Sequence, residues 1–145
     1  MRILIVEDDF TSRRLLQLML GPYGTCDIAV NGIEALKAFD MAHAENNPYQ
    51  LICLDIMMPE MDGQEALKQI RAREKALGVD PQYEVRVIMT TCVDSPRAVI
   101  EAYYHGGCTS YLVKPIEKTK LLSLLRDLDL IPNRERSAGA TTARG

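Results

Sequence analysis

Five short β-rich runs alternate with five segments of helical periodicity, and no other feature of the chain restricts its fold so strongly. "RILIV" (2–6) reads as a buried strand, and "FTSRRLLQLML" (10–20) as a helix closed by Gly21-Pro22. "CDIAV" (26–30) is the second strand. Asn31 with Glu34 three positions on has the capping-box pattern, and Ile33, Leu36 and Phe39 then mark one helical face. "LICL" (51–54) is the third strand, and the helix after Gly63 carries Leu67, Ile70 and Leu77 before Gly78 stops it. "VRVIMT" (85–90) is the fourth. Ser95 and Pro96 open a further helix that Gly106-Gly107 ends. "SYLV" (110–113) is the fifth strand, and Leu121, Leu124, Leu125 and Leu128 stripe a last helix.

Continuous apolar strands joined by helical crossovers require a parallel sheet covered on both faces, with right-handed connections. The expected fold is α/β and doubly wound, five strands with five helices. A length of 145 residues, with 47% hydrophobic and 26% charged residues, suits one domain. Its expected extent is 1–130. The tail 131–145 lacks large apolar side chains after Ile131 and is expected to be disordered.

A net charge of -3 supplies no basic field for a polyanion, so direct nucleic-acid binding is not expected. No apolar run approaches the ~20 residues that cross a bilayer, and "MRILIVEDD" turns acidic too early for a signal peptide. A cytoplasmic location without membrane contact is the expectation. Cys26, Cys53, Cys92 and Cys108 lack metal-site spacing and read as reduced, mostly buried thiols, and His43 and His105 stand alone.

Ligands of an open parallel sheet bind beyond the carboxyl ends of its strands, where the winding reverses. Those ends carry Glu7-Asp8-Asp9, Asp55, Thr90-Thr91 and Lys114-Pro115, whereas the second strand offers only a turn. In the order 2-1-3-4-5 the first and third strands flank the reversal, with their carboxylates ~5 Å apart. Crowded carboxylates repel unless a cation compensates them, and an oxygen-only set suits Mg2+ better than zinc. Mg2+, a hydroxyl, an ammonium and a lone carboxylate together meet the needs of phosphoryl transfer. Asp55 ends the central strand ahead of a loop shaped by Pro59 and Gly63, which makes it the candidate nucleophile.

"ILIVEDD", "LDIMMPEMDG", "VIMTTC" and "YLVKP" resemble the receiver domain of two-component response regulators, in family order and at nearly family spacing over 1–130. The chain looks like the stand-alone, chemotaxis-regulator type with its flavodoxin-like fold. The resemblance implies that Asp55 accepts a phosphoryl group from a histidine kinase or histidine phosphotransfer protein. It further implies that Glu7, Asp8, Asp55 and the backbone carbonyl of Met57 hold Mg2+, that Thr91 and Lys114 bind phosphoryl oxygens, and that Lys114-Pro115 is cis. Thr91 and Tyr111 would form the switch. Output would pass to a downstream protein, or to a second copy in a homodimer, through the helix before the fifth strand, that strand and the last helix, a face holding Tyr103, Tyr104, Tyr111 and Lys118. Apolar Met57 and Val93 would make the phosphoryl group long-lived. Such a protein is not an enzyme beyond its own phosphorylation and dephosphorylation.

Glu7 stands where the family pattern has Asp, Cys92 replaces a small Ala, and Ile116 an aromatic residue. Asp9 reads as a charge at a helix start. Two other functions compete. A Mg2+-dependent phosphohydrolase would need a second Asp two residues after the first, where this chain has Met57. An unphosphorylated interaction module would not need the complete acid, Thr and Lys set.

Overall fold

The computed structural model describes residues 1–58, 60–92 and 107–132. Its strands are β1 (Arg2–Val6), β2 (Thr25–Ala29), β3 (Leu51–Asp55), β4 (Arg86–Thr91) and β5 (Ser110–Val113). The α-helices among the described residues are α1 (Phe10–Leu20), α2 (Gly32–Ala44), α3 (Gly63–Ala76) and α4 (Lys118–Asp127). The helix expected to open at Ser95-Pro96 falls outside the described residues, as do Pro59, Val93, Tyr103, Tyr104, His105 and 133–145, most of the expected disordered tail. No helix among the described residues is long and apolar enough to cross a membrane.

Every strand pair is parallel and the order is β2-β1-β3-β4-β5, the flavodoxin-like doubly wound arrangement. β3 runs one residue further than its apolar run, because Asp55 still pairs with Thr90 on β4. The sheet and α1 to α3 lie within Met1–Pro115, while α4 belongs to a second compact unit beginning at Ile116.

Strand alternation divides the core. Leu4, Val6, Ile52, Leu54, Val87 and Met89 point to the face packed by Ala35, Leu36 and Phe39 of α2 and by Ala66, Leu67 and Ile70 of α3. Ile3, Ile5, Leu51, Cys53 and Ile88 are buried at the alternate positions. Each large apolar side chain so buried contributes roughly 1.5–3 kcal/mol, so this interior fixes where the strand ends stand.

Caps fix the helix starts. Asn31 Oδ1 accepts the Glu34 N–H at 2.8 Å, and Glu34 Oε1 accepts the Val30 N–H at 3.0 Å, one residue earlier than the usual reciprocal bond. Asp9 and Asp62 cap α1 and α3 through the N–H groups of Ser12 and Glu65.

Several core expectations need correction. Ile33 is 40% and Leu77 57% exposed. In α2 the buried stripe is Ala35, Leu36, Phe39 and Ala42, which leaves Ile33 off its edge. In α3 it ends at Glu74, and Leu77 is already the cap before Gly78, whose φ of 71° stops the helix. Leu121, Leu122 and Leu125 are the buried residues of α4, so Leu122 takes the place expected for Leu124. Of the free thiols Cys53 and Cys108 are buried, Cys26 is half-buried and Cys92 is exposed.

Candidate functional site

Glu7 continues the line of β1, its N–H bonded to the Ala29 carbonyl at 3.0 Å, and Val6 is the register partner of Leu54. Glu7 and Asp55 therefore follow one another's neighbours at the sheet's carboxyl edge. One carboxylate oxygen from each of Glu7, Asp8 and Asp55 lies within 4.8 Å of the others. Glu7 and Asp55 are buried, and Asp8 is exposed.

Lys114 arrives from the far side. Thr91 pairs with Val113, the Lys114 N–H donates to the Thr91 carbonyl at 2.7 Å, and the Lys114-Pro115 bond is cis. Its ammonium meets Glu7 Oε1 and lies 3.3 Å from Asp55 Oδ2. The side chain thus spans two strand spacings, as its length permits.

Gly63 sets the other wall. A Cβ there would lie 2.1 Å from the Asp55 carbonyl oxygen, so only glycine lets α3 start so near the acid. The Gly63 N–H bonds the Ile56 carbonyl at 2.9 Å, and the Met57 N–H donates to Asp55 Oδ1 at 3.1 Å. The Met57 side chain is exposed.

Burial and the neighbouring Glu7 carboxylate push the Asp55 carboxyl up to about 7, against the pull of Lys114 and the Met57 N–H. Burial acts on Glu7 in the same sense, but hydrogen bonds with Asp55, Lys114 and the Asp9 N–H outweigh it and hold Glu7 below its ordinary value. Desolvation would lower Lys114, yet the two carboxylates raise it. The two acids therefore share the site unequally: Glu7 is drawn toward its charged form and Asp55 toward its protonated one.

A hard divalent cation fits this set. Every side-chain donor is an oxygen, as a hard cation prefers, and the Lys114 ammonium already meets Glu7 Oε1 among them. Asp9 is instead committed to Ser12 at 2.8 Å, and that bond lowers its carboxyl.

Thr91 is buried at the end of β4, with Thr90 beside Asp55 in register and turned to the opposite face by strand alternation. Tyr111 is partly exposed on β5, paired with Met89. Arg13 carried no sequence signal. Its Nη1 donates to the Glu7 carbonyl at 3.2 Å and its guanidinium lies over Phe10, tying the acidic turn to α1. A cavity of about 400 Å³ lined by Arg2, Asp27, Glu45 and Gln50 lies at the opposite, amino end of the strands, and Arg2 there is occupied by Asp27 and the Asn47 carbonyl.

Residues 3–126 match the response regulator receiver domain. The sensory/regulatory protein RpfC of Xanthomonas campestris pv. campestris is 35% identical over 142 residues, which are 98% of this chain and 18% of RpfC. The chain thus spans less than a fifth of that relative. The chemotaxis protein CheY of Listeria monocytogenes is 32% identical over 127 residues, 86% of this chain and 95% of that protein. Among solved structures, the CheX–CheY–BeF3–Mg2+ complex from Borrelia burgdorferi aligns with a TM-score of 0.74 at 26% identity, covering 88% of this chain and 87% of that one.

Proposed function

The chain belongs to the response regulator receiver family, and on that premise we propose that it is a phosphorylation-driven signalling switch with Asp55 as the phosphoacceptor. The observation that carries this is the convergence of Glu7, Asp8, Asp55 and Lys114 at one edge of the sheet. An Asp55 oxygen attacks phosphorus, the bond to the donor imidazole nitrogen breaks, and that nitrogen leaves with the electron pair and is reprotonated. Lys114 pairs with one phosphoryl oxygen, and the Thr91 hydroxyl donates to another. Glu7, Asp8, Asp55 and the Met57 carbonyl would hold Mg2+, which would supply charge neutralisation on the phosphoryl oxygens.

The donor is a histidine kinase or histidine phosphotransfer protein, and the output is a changed affinity for a downstream protein or a second copy. Thr91 and Tyr111 act as the switch pair, moving together when the phosphoryl group is present. The protein works in the cytoplasm, acts catalytically on itself alone, and uses residues 1–130 as its receiver. The test is uptake of label from a phosphoramidate donor, with and without a chelator of divalent cations. Stoichiometric uptake that the chelator abolishes supports the reading. Uptake indifferent to the chelator removes the cation from it.

A further inference from the structure

Two sulfur-bearing residues follow the strand ends that carry Asp55 and Thr90. Asp55 and Thr90 are register partners, and two residues beyond them the two chains carry Met57 and Cys92, both exposed. The Met57 N–H donates to Asp55 Oδ1, and the residue is 71% exposed. The other methionines differ. Met1, Met19, Met58 and Met61 are half-buried, Met89 is buried, and Met41, 62% exposed, sits on α2, which carries no site residue.

We propose that Met57 is an oxidation-controlled site: a peroxide converts its thioether to the sulfoxide, and the polar product shortens the life of the phosphoryl group on Asp55. This rests on Asp55 being the phosphoacceptor. In the modifying step a sulfur lone pair attacks one oxygen of hydrogen peroxide and the O–O bond breaks as the S–O bond forms. The departing hydroxide takes the remaining proton and leaves as water, so sulfur loses the two electrons that the peroxide gains.

The consequence follows from hydrogen bonding. A thioether is a weak acceptor, so the unmodified side chain offers no strong site for a water beside the acyl phosphate. The sulfoxide oxygen is a strong acceptor on the same side chain. It can hold a water beside the phosphorus and orient it for attack, which is what hydrolysis lacks here. Cys92 oxidises under the same conditions, but the chemistry separates the two: thiol reductants reverse sulfenic acids and disulfides, whereas methionine sulfoxide needs its own reductase.

The experiment uses the full chain, treated with hydrogen peroxide, washed with dithiothreitol, and mapped by peptide mass before the decay of its phosphoryl label is timed. The half-life is expected to fall at least about threefold when Met57 is the sulfoxide, and methionine sulfoxide reductase to restore it. Met57→Leu, compared with its own untreated form, should not respond, and Met41→Leu should respond as the unsubstituted chain does. An unchanged half-life with Met57 fully oxidised overturns the proposal, as does a response that persists in Met57→Leu. Absence of label on Asp55 in untreated protein is a separate result, which overturns the phosphoacceptor reading and this inference with it.

Discussion

The Lys114 ammonium lies 3.3 Å from Asp55 Oδ2 while it also meets Glu7 Oε1, so one cation of the chain balances two buried carboxylates. That arrangement holds the site together before any ligand is bound. It also ties stability to the reacting groups in ways that can be measured.

Removing the ammonium should leave Glu7 buried without its counter-charge. Lys114→Ala is expected to lose about 2 kcal/mol of stability in metal-free buffer, because a broken buried pair strands one charge. Urea denaturation with and without Mg2+ checks this: the loss should shrink when Mg2+ is present. An equal loss in both buffers would mean that Lys114 contributes packing alone.

The raised carboxyl of Asp55 makes metal-free stability depend on pH with a definite sign. Its pKa is about 7 in the fold and near the ordinary value of about 4 in the unfolded chain, so the native state binds the extra proton between those limits. Stability from this group is complete below pH ~4 and is lost as pH rises through 7, by on the order of 4 kcal/mol in all. Asp55→Asn should remove that slope and be the more stable form at pH 8. A thermal melting series from pH 5 to pH 8 would contradict this if the two chains ran parallel.

Gly63 allows no side chain. Gly63→Ala places a methyl 2.1 Å from the Asp55 carbonyl oxygen, so α3 or the end of β3 must shift. The expected outcome is a loss of about 2 kcal/mol or more, with slower phosphorylation of whatever folds. Wild-type labelling at wild-type stability would show that the helix entry yields without cost.

Glu74 is buried at the end of α3, where Oε2 accepts the Val85 N–H at 2.7 Å and Oε1 meets Arg71 at 2.6 Å. Arg71 passes the link on to the Gly107 carbonyl at 2.9 Å. Glu74→Ala orphans the buried Val85 N–H and should lower the denaturation midpoint by the equivalent of about 2 kcal/mol. The acidic cluster is untouched, so label uptake should persist in the folded fraction.

The strand order and the site were legible in the sequence for one physical reason: parallel strands are buried until they end, so a polar residue at each end stands out against its apolar run. Glu7, Asp55, Thr91 and Lys114 were readable in that way, and the convergence of Glu7, Asp55 and Lys114 followed from the order of the strands. Glu74 was not, because its burial depends on an N–H eleven residues away rather than on its own helix period. Ile33 and Leu77 misled in the opposite sense, since an apolar residue near a helical stripe is buried only if the neighbouring layer reaches it. Arg13 acts through a backbone carbonyl, and no residue type in the sequence announces such an acceptor.

The central claim, that folding brings these acids together so that Asp55 takes a phosphoryl group, is tested most directly by intact mass. The native chain and Asp55→Asn are incubated side by side with Mg2+ and a small phosphodonor. The native chain should gain the mass of one phosphoryl group and the variant none. Equal gain in both would place the acceptor elsewhere and contradict the account.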